Sequence, residues 1–153
     1  MPPLTLVHVI IRLVGIATGF IVLLGMLRGK RMNAMTAIFL IFTILTSVTG
    51  FVFFPFEKVT PGFILGILSL IALAIAVYGR YPAKMAGGGR TAYVISAMIA
   101  QSFNVFVLFA QIFQKAPAAK ALPAPAFLVT EAVVMAIFIL SIVMAVKKFR
   151  TAV

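Results

Sequence analysis

The chain has 153 residues, of which 64% are hydrophobic and 10% charged, with a net charge of +11 and a mean hydropathy of +1.25. No soluble domain of this size needs so much apolar surface, so the composition indicates an integral membrane protein. There is no Cys, which excludes disulfides, thiolate metal sites and cysteine nucleophiles, and no Trp, which leaves Tyr and Phe to mark the membrane interfaces.

Five apolar stretches are each long enough to cross a bilayer, at about 4–27, 34–55, 61–80, 91–113 and 127–147. All five read as helices, because an open array of strands leaves backbone groups unpaired in lipid and no alternating barrel pattern is present. The predicted fold is an all-α membrane bundle forming a single transmembrane domain. The first stretch lacks a basic leading region and a small-x-small cleavage site, so it is expected to be retained rather than removed as a signal peptide.

Lys and Arg fall in alternate gaps. Arg28, Lys30 and Arg31 follow helix 1, Arg80, Lys84 and Arg90 follow helix 3, and Lys147, Lys148 and Arg150 follow helix 5. Lys58, Lys115 and Lys120 occupy the other gaps. A split of nine to three over short loops predicts the N-terminus outside and the C-terminus inside. The positive charge therefore reads as topology and contact with anionic lipid, not as a nucleic-acid surface.

Helix 1 carries His8 and Arg12 one turn apart on one face, which continues through Gly15 and Gly19. The Gly15-x-x-x-Gly19 spacing is a helix-contact surface and turns Arg12 toward protein. At a rise of ~1.5 Å per residue, Arg12 lies about 12 Å below the outer end of its helix, deep enough to need a partner. Only Glu57 and Glu131 are acidic. Glu57 sits beside Lys58 in a loop, whereas Glu131 lies about one turn into helix 5, at a depth similar to Arg12. An Arg12–Glu131 ion pair is therefore expected, with His8 one turn above it.

Helix 2 supplies Thr46, Ser47 and Thr49 in its outer half, hydroxyls that in membrane helices usually bond to the preceding turn. It ends in Phe51, Phe53, Phe54 and Phe56, an aromatic collar closed by Pro55, with Gly50 allowing close approach. Helix 3 starts at Pro61 and is expected mainly to pack, with Gly62 and Gly66 as a contact pair and Ser69 as its one serine or threonine within the apolar stretch. Gly87, Gly88 and Gly89 form a flexible connector before helix 4, and without a preceding strand or a following Lys-Ser/Thr they do not form a phosphate loop. Helix 4 adds Gln101, Asn104 and Gln111 on one face. Ala116 to Pro125, rich in Ala and Pro, reads as an extended external segment.

Helices 1, 2, 4 and 5 thus converge on a polar pocket in the outer half of the membrane. Its candidate ligand-binding residues are His8, Arg12, Thr46, Ser47, Asn104, Gln111 and Glu131. Such a pocket suits a small amphipathic or anionic molecule with Arg12 as its anchor. A second class is an accessory subunit that docks through its glycine faces onto a membrane-protein partner or onto copies of itself. Neither catalysis nor a cofactor is expected. One His, two Glu, no Asp and no Cys do not make a hydrolytic or metal site, and a lone His is a poor haem ligand.

The segment Thr46-Ser47-Val48-Thr49-Gly50-Phe51-Val52-Phe53-Phe54-Pro55-Phe56, with Gly66-Ile67-Leu68-Ser69-Leu70, Arg80-Tyr81 and Asn104-Val105-Phe106-Val107, resembles a group of small five-helix bacterial inner-membrane proteins without an established activity. The resemblance runs along essentially the whole chain and implies a bacterial inner membrane and five helices. Length and helix count are also similar to the translocator-protein family, which binds tetrapyrroles and sterols. That family is rich in Trp, so the likeness extends to architecture alone.

Overall fold

The computed structural model describes residues 3–30, 32–53 and 61–149, without the side chains of Phe53 and Pro61. Glu57, Lys58, Phe54, Pro55 and Phe56, and the charges Arg31 and Arg150, lie outside the described residues. Six helices and no strand occur among those described: α1 (Pro3–Leu27), α2 (Asn33–Phe53), α3 (Pro61–Arg80), α4 (Gly88–Lys115), α5 (Pro117–Lys120) and α6 (Pro125–Lys148). Five of them, all but α5, are long and apolar enough to cross a membrane. The chain is therefore read as a multi-pass membrane protein.

Helix ends follow local chemistry. α1 closes in a Schellman turn, with Gly29 at φ 69°, Lys30 N–H donating to Gly25 O at 2.7 Å and Gly29 N–H to Met26 O at 3.1 Å. α4 starts earlier than its hydropathy suggests, because Gly88 and Gly89 are helical and only Gly87 stays outside as the N-cap. The expected glycine connector is thus mostly helix. The reason is packing: Gly89 lies against Gly79, and a Cβ on Gly79 would collide with the Gly89 carbonyl and Tyr93, so small residues let α3 and α4 meet backbone to backbone. The segment expected to be extended contains the single turn α5, since Pro117 stands at a helix start, where its missing N–H costs nothing.

α1 packs chiefly on α2 and α3 on α4, forming two hairpins that meet along α2–α3 and α1–α4. α6 lies against α4 and α1 and, among the described residues, makes no comparable contact with α2 or α3. Most of the apolar core fills the end of the bundle where the basic loops lie, around Val22, Met26, Phe39, Leu73, Tyr93 and Phe149. Arg80 seals this end. It is buried at the last turn of α3, donates to Asn33 Oδ1 at 2.7 Å and lies 5.0 Å from the centre of the Tyr93 ring. The opposite end is more open, because small and polar residues there replace the large core side chains.

Candidate functional site

A cavity of about 320 Å³ opens between the two hairpins in the half of the bundle away from the basic loops. α1 contributes Thr5, His8, Val9 and Arg12, and α2 contributes Thr46, Ser47, Gly50 and Phe51. α4 supplies Phe103, Asn104, Val107, Gln111 and Lys115, while Gly62, Leu65, Gly66 and Ser69 of α3 close the remaining side. Such a volume lies at the lower end of the ~300–1,000 Å³ usual for small-molecule sites.

The one-turn spacing of His8 and Arg12 produces direct contact: Arg12 Nη2 donates to His8 Nε2 at 3.1 Å. His8 Nδ1 lies 2.7 Å from Thr49 Oγ1, whose hydroxyl proton goes to Leu45 O at 2.6 Å. A neutral imidazole protonated on Nδ1 satisfies both contacts, accepting from Arg12 and donating to Thr49. This relay pins α1 to α2 and holds the guanidinium on the cavity wall. His8 lies close to Gly50, where an added Cβ would stand 3.5 Å from His8 Cε1, an ordinary van der Waals contact.

Hydroxyls on α1 and α2 mostly turn back to their own helices. Thr43 and Thr46 donate to Phe39 O and Phe42 O at 2.6 and 2.8 Å, and Thr18 does the same to Val14 O at 2.7 Å. Other polar groups have no such outlet. Arg12 Nε and Nη1, Asn104 Nδ2 and Ser69 Oγ are buried without a hydrogen-bond partner among the described residues, and all belong to side chains that line the cavity. Arg12 and Lys115 give the lining a positive charge, and no acidic side chain joins them among the described residues. The unmet groups are donors, apart from Ser69, whose hydroxyl can both donate and accept.

Six of the seven sequence-derived candidates, His8, Arg12, Thr46, Ser47, Asn104 and Gln111, come together here. Glu131 does not. It lies in α6, buried, with both carboxylate oxygens unpartnered among the described residues, and it is not part of the cavity lining. The expected Arg12–Glu131 ion pair is therefore replaced by Arg12–His8. The physical reason is lateral. Similar depth brings two residues to one level of the membrane but not to one side of a helix. Glu131, Phe138 and Ala145 form the buried stripe of α6, and Phe138 packs with Ile16 and Val105 at the α1–α4 junction.

The roles expected of two helices are also exchanged. α3 lines the cavity rather than only packing, and the last span does not reach it. Gly62 and Gly66 are part of that lining, and Gly66 admits the Phe51 ring, which lies where a side chain at that position would go. Lys115 was legible only as a topology charge. Phe51 is the one member of the predicted aromatic collar whose side chain is described, and it stacks edge-on to Phe63 at 5.6 Å. Gln101, on the same predicted face as Asn104, instead donates to Ile16 O at 2.9 Å and fills the space above Gly19. No group of three His, Asp or Glu side chains suited to a metal occurs among the described residues. Comparison with protein-family models, curated proteins and solved structures finds no match.

Proposed function

We propose that this chain binds a small amphipathic molecule through an anionic or hydrogen-bond-accepting head, held in a cavity in the outer half of a bacterial inner membrane. The observation that carries the reading is the coincidence, around one cavity, of Arg12 and Lys115 with buried donors that have no hydrogen-bond partner among the described residues. Each buried donor left unmet costs roughly 1–3 kcal/mol, so a head bearing acceptor oxygens would recover energy that plain packing leaves unspent. Charge-assisted bonds to Arg12 would supply the largest share. The nine-to-three distribution of Lys and Arg is the ground for orienting the N-terminus outside, which puts the cavity in the outer half.

Docking onto a larger complex through glycine faces fits less well. Gly15 and Gly19 lie against Thr43 and Gln101, and Gly66 lies against Phe51, so these contact surfaces are already engaged within the chain. Native mass spectrometry of protein extracted gently from its own membrane tests the proposal. The expected result is a discrete non-protein mass that disappears in Arg12→Leu. Retention of another polypeptide with no small molecule would overturn it in favour of a subunit role.

A further inference from the structure

Phe103 lines two concavities. It borders the polar cavity, and it also heads an apolar groove that runs along α3 and α4 toward Gly88, walled by Leu68, Ile71 and Ile75 on one helix and Ile95 on the other. These aliphatic side chains are between 37% and 54% exposed on the chain, so the groove opens onto lipid and not into the core. Its two hydroxyls already have protein partners. Ser96 donates to Ala92 O at 2.5 Å, and Thr91 Oγ1 accepts from Arg90 at 3.3 Å. The groove's surface is mostly apolar and suits hydrocarbon better than a polar head.

Depth fixes how the two concavities relate. α4 runs from Gly88 to Lys115, so Phe103 stands close to its middle and near the centre of the bilayer. The cavity occupies one half of the membrane and the groove the other. From Phe103 to Gly88 the groove is about 22 Å long at the α-helical rise, more than the ~15 Å hydrocarbon depth of one leaflet. A head held near Arg12 and Asn104 would be drawn well below its own interface. Its chain would then cross the midplane and need a track on the far side. One groove provides for one chain, and about 320 Å³ provides for a head rather than a whole two-chain lipid.

We propose that the ligand is a single-chain anionic amphipath of the long-chain fatty-acid class, with its head in the cavity and its hydrocarbon chain passing Phe103 into the α3–α4 groove. This rests on the anionic-head reading of the cavity. The absence of Trp from the chain makes a direct test simple, since one introduced Trp is the only indole fluorophore.

The full chain carrying Ile95→Trp in the groove, or Ile137→Trp on the exposed face of α6, is placed in phosphatidylcholine vesicles and titrated with stearate brominated at mid-chain. Quenching of the groove reporter is expected to saturate and to be reversed by unbrominated stearate. In an Arg12→Leu background the half-quenching amount should rise about tenfold or more, as expected for loss of a charge-assisted bond. Quenching of the α6 reporter should grow in proportion to added bromostearate. Leu68→Trp, on the other wall, reports the same site should the Ile95→Trp indole block it. Proportional quenching at both groove reporters overturns the chain track, and so does saturable quenching that Arg12→Leu leaves unchanged. If native mass spectrometry still finds an Arg12-dependent small mass, only the track has failed. If it finds none, the cavity reading has failed with it.

Discussion

Arg12 and Arg80 show how the same residue type does different work at the two ends of one bundle. Arg80 has Asn33 and the Tyr93 face as partners and is buried as a structural tie, whereas Arg12 has His8 and keeps Nε and Nη1 unmet beside a cavity. Arg80→Leu should therefore lower stability by roughly 2 kcal/mol through loss of a charge-assisted bond and a cation–π contact, read as an earlier thermal transition in detergent. Ligand retention should be unaffected. His8→Leu should act on both properties, because it removes the α1–α2 relay and the partner that positions Arg12; the expected result is weaker binding together with a lowered transition temperature, measured on the same preparation. At this scale the sequence was informative where chemistry is local. His8 and Arg12 one turn apart meet as their spacing requires, but Glu131 was misplaced because depth carries no information about azimuth around the bundle. Asn33 and Tyr93 could not be paired with Arg80 in advance, since that contact joins side chains of three different helices.

Between elements, close backbone approach decides the architecture. α3 and α4 cross at Gly79 and Gly89, where a single added methyl meets backbone atoms that cannot rotate away. Gly79→Ala is expected to destabilise the hairpin by about 1–3 kcal/mol and to lower the thermal transition more than any substitution on the exposed face of α6, such as Val133→Ala. The five spans were legible to within about three residues at the described ends, because a length of apolar sequence set by the bilayer is a strong signal. Helix starts were less so: at Gly88 and Pro117, residues that usually interrupt helices are accommodated at a first turn. The part played by α3 was obscured because a spacing of small residues does not distinguish a helix-contact face from a cavity lining.

For the whole molecule, polarity is distributed along the membrane normal. Aliphatic and aromatic side chains fill the end carrying Arg28, Lys30, Arg80, Lys84, Arg90, Lys147 and Lys148, and the cavity takes the other, near Lys115. The basic end is expected in the cytoplasm. Because the chain has no native Cys, Lys84→Cys and Lys120→Cys each give a single label site. Membrane-impermeant maleimide on intact cells should modify only the second, and the opposite pattern would invert the topology. The central claim, a cavity that selects for an accepting, negatively charged head, is tested most directly by comparing oleate with oleylamine, alike in chain and opposite in charge, for retention by the protein in nanodiscs. Oleate should be retained, oleylamine should not, and Arg12→Leu should abolish the difference. Equal retention of the two, or a preference for the amine, would contradict it.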